Sequence, residues 1–561
     1  MVGLITQILS LSLLSFVIWK VLRLWISNSH FPIANIPGPQ SKSWFGVLPQ
    51  LFDANAWSFH DDLAKRYGRI VKIEALFKEQ QLYISDPVAL QHILGKDQNI
   101  YEETRGWIES VMRVTCKQIF GLRVHCSGNL LIFGRGLLST LGEEHKKQKK
   151  MLNPAFSTTS IRQMHPTFTE ICEKVCAAIT LRVQGGVKEV DMLSWMSRLA
   201  LELVGQCGLG YSFDDLIEDG ASHPFCISSK RLTPVIQPLM IYRNYLLPRI
   251  SNIATPKFRR FVLDVVPWKN AHQLRDIVDV FTETAEQVYN SKRKALDEEE
   301  TVSPHSEARK DILGILMKDN LSAANEEKLC EAEIKGQIIT LCFSATDTTS
   351  TALARLLHLL SDNQDAQNKL RDEVRLVRPI KELPYDTLMS LPYLDALCKE
   401  TLRLYPPVPV LLRTARHDTV LPIGTPIQGL DGNAISKIPI PSGTDIMIGV
   451  MAINRDPLLW GEDSHEWKPE RWLKPLPDTL TNARIPGIYA NQLTFLGGAR
   501  ACIGLQFAQL EMKVVLAMLV DRFKFSPSTQ EIMWDMNSIV SPTVRGEADP
   551  KLPLLVNLVK A

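Results

Sequence analysis

The stretch Phe495-Leu496-Gly497-Gly498-Ala499-Arg500-Ala501-Cys502-Ile503-Gly504 decides how this 561-residue chain is read. It is a glycine-rich loop that delivers one thiol to the start of a helical pattern running through Gln506-Phe507-Ala508-Gln509-Leu510-Glu511. The unpaired N–H groups and the dipole at a helix start stabilise a thiolate, which suits a metal ligand. Gly498 and Gly504 would let backbone approach a flat cofactor, and Phe495 can pack beside the sulfur and keep water away. Taken alone, a cysteine at a helix start is more often a packing residue. The weight therefore rests on the ten residues together.

Working outward, composition narrows the classes. Hydrophobic residues make up 45% of the chain and charged residues 22%, enough to bury a sizeable core. Lys and Arg total 63 against 61 Asp and Glu, a formal charge of +2, so no global field favours nucleic acid and no nucleic-acid partner is expected. The ten cysteines include no CxxC pair, which argues against a zinc site and for a reducing compartment. Cys172 and Cys176 are the one close pair, at helical spacing.

Three other constellations carry chemistry. In Lys399-Glu400-Thr401-Leu402-Arg403 the glutamate and arginine share a helical face, and Arg471 in Lys468-Pro469-Glu470-Arg471-Trp472 can close a three-member charge network with them. Desolvation offsets much of the Coulomb gain of such a buried network, so its expected role is to hold a loop. The polar run Phe343-Ser344-Ala345-Thr346-Asp347-Thr348-Thr349 interrupts a long apolar helical pattern from near Ile334 to Leu360. Its small side chains leave room for a ligand, and a threonine hydroxyl there can bond a preceding carbonyl and loosen one turn. A solvated stripe is the alternative. His145 and Lys149 lie four apart on a helix within Gly142–Lys150, and for them a solvated basic face competes with a binding role.

The Cys502 segment matches F-x-x-G-x-R-x-C-x-G at every fixed position and resembles the haem-binding signature of the cytochrome P450 family. The Glu400 and Glu470 segments resemble that family's E-x-x-R and P-E-R-W elements. The Asp347 run resembles its oxygen-activating helix, A-G-x-D/E-T-T/S, with Ser344 and Ala345 departing at the first two places. The resemblance spans about Ile36 to the C-terminus. It implies the family's mainly α fold with a small β region, holding haem b with Cys502 as axial ligand of the iron. Arg500 and Arg413, the latter after Tyr405-Pro406-Pro407-Val408-Pro409, would then hold haem propionates, joined by His145 and Lys149 where the family usually has W-x-x-x-R. Thr348 would hydrogen-bond dioxygen and Asp347 would help relay protons. The implied reaction inserts one oxygen atom from O2 into a lipophilic substrate such as a terpenoid, steroid, fatty acid or aromatic xenobiotic. Its electrons would come from NADPH through a separate NADPH–cytochrome P450 reductase, with cytochrome b5 as a further partner, since no G-x-G-x-x-G element is present. The alternatives are an isomerase or dehydratase of the same family, and a non-catalytic haem sensor or ligand carrier.

Organisation follows from the ends. No charged residue occurs from Met1 to Trp19, and Lys20 and Arg23 come directly after, so residues 1–26 read as a single uncleaved membrane anchor with the rest cytosolic. A buried core helix is the alternative. This predicts a single-pass protein of the endoplasmic reticulum membrane, with a proline-rich hinge at 27–40 around Ile36-Pro37-Gly38-Pro39 and a catalytic body at 41–561. Short β-like runs are expected at Arg69–Ile73 and Leu82–Ile84, and an exposed charged loop from Asp297 to Lys310. Residues of about 110–129 differ from their amphipathic surroundings and read as an insertion or a translated intron. The apolar, proline-interrupted region from Leu232 through Tyr245-Leu246-Leu247-Pro248 to Trp268 suits a substrate-access lid touching the bilayer, or else ordinary packed helices.

Overall fold

The computed structural model describes residues 32–104, 128–217, 220–243, 256–302, 311–322, 328–377 and 383–559. The expected anchor at 1–26, nearly all of the expected insertion, residues 303–310 of the expected charged loop and the Tyr245–Pro248 part of the expected lid lie outside these residues; the first part of that loop, 297–302, is not a loop but the end of the helix Lys269–Val302, whose pattern simply runs on. Helices of ten residues or more are labelled in chain order: α1 Trp57–Tyr67, α2 Gly142–Leu152, α3 Thr158–Gln184, α4 Met192–Leu203, α5 Pro224–Ile236, α6 Pro256–Val265 and α7 Lys269–Val302. They continue with α8 Ile312–Ser322, α9 Glu331–Asp362, α10 Gln364–Leu376, α11 Pro392–Leu404 and α12 Leu505–Arg522. The chain is mainly helical with small sheets, as expected. Among the described residues no helix is long and apolar enough to cross a membrane.

The long helix α9 organises the core. Its start is a capping box: Glu333 reaches back to accept from the Cys330 N–H at 2.8 Å, and Glu331 and Glu333 place negative charge at the dipole's positive end. Its central turns are buried on nearly every face, as befits a helix with α4, α7 and α12 packed around it. Leu353, Leu356 and Leu357 of α9 and Leu510, Val515 and Leu516 of α12 are at most 0% exposed, in one apolar cluster that also includes α3 and α4.

The strands, in chain order, are β1 Ile70–Glu74, β2 Gln80–Ile84, β3 Tyr101–Glu102, β4 Glu189–Asp191, β5 Val410–Ala415, β6 Thr419–Gln428, β7 Ala434–Ile440, β8 Asp445–Gly449, β9 Phe523–Pro527, β10 Ile532–Asp535, β11 Ser541–Val544 and β12 Pro553–Leu558, and the main sheet has the order β1-β2-β8-β5-β3. The two runs expected from sequence are β1 and β2, joined in antiparallel register with Ile70 opposite Ile84. The proline-rich hinge ends against this sheet, where the Lys72 N–H donates to Pro37 O at 2.9 Å. A Cβ on Gly38 would stand 1.9 Å from Lys72 O, so only glycine fits there. Strand β5 pairs antiparallel with β8 and sets Arg413 opposite Ile446. Because side chains alternate along a strand, Leu411 and Arg413 point to one face.

Candidate haem-thiolate site

A cavity of about 280 Å³ lies between α9 and the loop that precedes α12. The α9 side contributes Thr340, Leu341, Ser344, Ala345, Thr348 and Thr349; the loop side contributes Phe495, Arg500, Cys502 and Gly504. Two segments some 150 residues apart in sequence thus face each other, as the motif reading requires.

The loop is held by its own backbone. The Cys502 N–H donates to Phe495 O at 2.9 Å, and the Ala501 N–H to Gly498 O at 3.1 Å. Cys502 is bare toward the cavity and enclosed by protein on its other sides. Burial raises its thiol pKa, against the pull of the Gly504 N–H and the Lys149 charge. A thiol so placed becomes a stable thiolate when a metal cation sits against it. Phe495 lines the cavity beside the sulfur and packs edge-on against Tyr489, with ring centroids 5.4 Å apart. Gly504 likewise lines the cavity, its Cβ position touching nothing nearer than Cys502 Sγ at 3.9 Å.

Gly498 departs from expectation. Its φ of 68° and a Cβ position only 1.7 Å from Leu94 O show that it is required by the neighbouring backbone, and it does not line the cavity. Gly497, adjacent to it, is as tightly confined, 1.5 Å from Pro486 O.

Four basic side chains named from sequence converge at one edge of the cavity: His145 and Lys149 from α2, Arg413 from β5 and Arg500 from the loop. The solvated face considered for His145 is not what forms, since it is 5% exposed. Burial and the charges of Arg500, Lys149 and Arg413 press its pKa down to about 3, so it is a neutral ring at ordinary pH. Lys149 Nζ donates to Ala499 O at 2.7 Å and Ala501 O at 3.0 Å, tying α2 to the cysteine loop. Arg500 donates to Thr140 O at 2.6 Å. Arg413 pairs with Glu103 at 3.0 Å, a partner the sequence reading missed. Lys149, Arg413 and Arg500 outweigh Glu103, which pairs with Arg413, and Glu102, which pairs with Arg416, and leave a positive edge that a dianionic group would balance. Thiol, positive edge and apolar walls together fit the haem that the motifs imply.

On the opposite wall Thr348 lines the cavity and its hydroxyl donates to Ser344 O at 2.7 Å. The helix stays continuous across this bond. Thr340, also on the wall, has a buried hydroxyl with no partner among the described residues. Asp347 and Thr348 part ways: Asp347 does not line the cavity and turns to α5, where Oδ1 meets Lys230 Nζ at 2.6 Å. Lys230 also donates to Asp347 O at 3.1 Å and Thr351 Oγ1 at 3.2 Å. Burial raises the Asp347 pKa, opposed by Lys230, and its Oδ2 has no hydrogen-bond partner among the described residues. Lys230 went unnoticed in sequence, although a lysine on α5 between the apolar Phe225 and Leu232 was the available signal.

Beneath the cysteine loop the three-member network forms as expected. Arg403 grips Glu400 with two bonds, 2.9 and 2.8 Å, and Arg471 Nε reaches Glu400 Oε1 at 3.4 Å. Both Glu400 and Arg403 are 0% exposed. Trp472 Nε1 donates to Glu400 Oε2 at 2.9 Å, and Arg403 donates to Asn454 O and Ser464 O at 2.8 and 2.7 Å. Every in-plane direction of the carboxylate and most guanidinium donors are thereby used, which is what makes a buried charge tolerable.

Comparison with known proteins agrees with this geometry. The sequence model of the family described as Cytochrome P450 matches residues 36–548. Cytochrome P450 monooxygenase 91 of Postia placenta is 45% identical over 99% of this chain and 99% of its own. Cytochrome P450 monooxygenase 81 of the same fungus is 42% identical over 96% and 95%, and the ganoderic acid synthetase of Ganoderma lucidum is 35% identical over 98% and 97%. The chain belongs to the cytochrome P450 family and is an oxidoreductase of its monooxygenase class.

Proposed function

We propose that this monooxygenase inserts one oxygen atom from O2 into a lipophilic substrate at the cytosolic face of the endoplasmic reticulum membrane. Its electrons would come from NADPH through a separate reductase, with cytochrome b5 as a second donor. The observation that carries this reading is the placement of Cys502 and Thr348 on facing walls of one largely apolar cavity. Bound haem would supply the electron transfer to O2 and the cleavage of the O–O bond, favoured by thiolate donation. Cys502 would hold the iron, and Lys149, Arg413 and Arg500 would orient the propionates, with His145 a neutral donor among them. Leu137, Leu341 and Phe507 exclude water from the reacting space.

The proton path falls to the chain itself. The Thr348 hydroxyl spends its hydrogen on Ser344 O, so its oxygen is oriented to accept from a proton donor in the cavity. Asp347 sits one residue away and can carry a proton on Oδ2, while Lys230 holds Oδ1 and sets when that proton is released. A lipophilic substrate is supported by the cavity walls. The relative named for making ganoderic acid supports a place in secondary metabolism, alongside detoxification.

Membrane residence is supported by an exposed apolar face on and after α6, where Phe261 and Val265 are 62% and 65% exposed and Trp268 follows. We take residues 1–26 as the anchor, 27–40 as the hinge and 41–561 as the catalytic body, with about 110–129 inserted. Peptides spanning Cys116 to Cys126 in the purified enzyme would exclude the translated-intron origin. Lys147 and Lys150 of α2 offer an acidic redox partner a docking edge, Lys150 exposed and Lys147 half-buried with its Nζ donating to Lys328 O at 2.7 Å. The deciding experiment is a product screen in membranes co-expressing a reductase. NADPH consumption coupled to oxygenated product supports the reading; tight ligand binding without turnover across a broad panel would overturn it.

A further inference from the structure

A second cavity, of about 410 Å³, shares no lining residue with the Cys502 cavity. It is an open cleft lined by Trp57 and Asp61 of α1, Arg355 of α9, Tyr405 after α11, Arg455, and Trp534 of β10 (Ile532–Asp535). Two guanidinium groups in one aromatic cavity need an explanation. Arg355 lies 3.6 Å over the Trp534 ring and 4.1 Å over Tyr405, and Arg455 lies 5.4 Å from both Trp57 and Tyr405.

Ring stacking satisfies the faces of the Arg355 cation but not its in-plane donors. Its Nε is buried without a hydrogen-bond partner, and no carboxylate pairs with it among the described residues. Arg455 is 6% exposed, donates from Nε to Leu404 O at 2.8 Å, and reaches the Asp61 carboxylate only at 3.4 and 3.5 Å. Among the described residues Asp61 is the carboxylate paired with Arg455, by long contacts and shared with solvent, its side chain 38% exposed. Burial and the Arg455 charge press the Arg355 pKa down to about 9, which still leaves a cation at neutral pH. The cavity holds more than ten times the roughly 30 Å³ that a water occupies, so a bare inorganic ion would rattle in it.

We propose that this pocket binds an organic carboxylate with a planar apolar body, its two oxygens on the unmet edge of Arg355 and its body against Trp57, Tyr405 and Trp534. The fork geometry of a guanidinium matches a carboxylate with two parallel bonds, and aromatic walls accept a flat apolar group. The site stands apart from the haem side, with Arg355 two helical turns, about 10 Å, along α9 from Thr348.

Equilibrium dialysis of the holoenzyme would test this with 2-naphthoate, its neutral twin 2-naphthamide, and inorganic phosphate as competitor. We expect saturable naphthoate binding, with naphthamide and the Arg355→Gln variant each weaker by about ten-fold or more, the worth of one charge-assisted hydrogen bond. Asp61→Asn removes the competing anion from an exposed position and should tighten naphthoate binding several-fold. Equal binding of the amide, no loss in Arg355→Gln, weaker binding in Asp61→Asn, or displacement by equimolar phosphate would each overturn the proposal. Should Arg355→Gln fail to fold, the acid–amide contrast and Asp61→Asn decide it on folded protein.

Discussion

At the scale of single residues, the site divides its work between groups that face the cavity and groups that act from behind it. Cys502→Ala should abolish the thiolate signature in a reduced carbon monoxide difference spectrum. Thr348→Ala should keep that spectrum while shifting NADPH consumption from product to peroxide, because the cavity loses its oriented hydroxyl but not its thiol. A further prediction concerns Glu511, one turn beyond Phe507 and Ala508 of the cavity wall. It is 0% exposed, and neither carboxyl oxygen has a partner among the described residues. Burial raises its pKa well above the ordinary 4.5. The folded chain therefore holds this proton where the unfolded chain releases it. Its contribution to stability is complete below the ordinary glutamate pKa and falls as pH rises toward the folded value. Glu511→Gln should flatten that slope and raise the melting temperature at pH 8 relative to the parent, read by thermal unfolding across pH 4–9. A parent whose stability rises over that range through this residue, or a variant of lower stability at pH 8, would contradict it.

At the scale of elements, the cysteine loop is set less by its sulfur than by what crowds its glycines. Adding a Cβ at Gly497 brings it within 1.5 Å of Pro486 O, so Gly497→Ala must displace the loop and should cost most of the thiolate spectrum even though no ligand is changed. The network under the loop follows the same logic. Glu400→Ala leaves the buried Arg403 guanidinium without its carboxylate, whereas Arg471 keeps Asp463 at 2.7 Å, and breaking a buried pair in this way costs about 3–5 kcal/mol. A lowered urea midpoint and a reduced haem-loaded fraction are the expected outcomes; unchanged stability would show the network to be dispensable. These elements were legible in sequence because glycines, prolines and the spacing of Glu400 and Arg403 are local. The strands near the C-terminus were not legible, because β12 (Pro553–Leu558) finds its partners in β4 (Glu189–Asp191) and β9 (Phe523–Pro527), with Leu554 opposite Val190. No local pattern marks a pairing across more than 350 residues.

At the scale of the whole molecule, the membrane reading rests on two contacts of different kind. A chain lacking residues 1–31 should still sediment with vesicles through the exposed Phe261 and Val265 face, and Phe261→Asp with Val265→Asp should release it. Complete release on truncation alone would leave the anchor as the one attachment. The Trp44 and Phe77 pair, 66% and 53% exposed with centroids 6.2 Å apart, adds a second apolar spot near the hinge.

Sequence by itself determined the family, and it named the thiol and the threonine that line the cavity, because each is carried by residues within one short segment whose spacing is its own geometry. It also named the four basic residues at the cavity edge. What only the tertiary structure decided is how charges are shared between segments. Lys230 meets Asp347 from 117 residues away, Glu103 claims part of Arg413, and His145 becomes neutral because three cations and burial surround it. Arg355 gains its aromatic cage from α1, the end of α11 and β10. Desolvation and Coulomb interaction depend on distance through space, which the order of residues does not contain until the chain is packed.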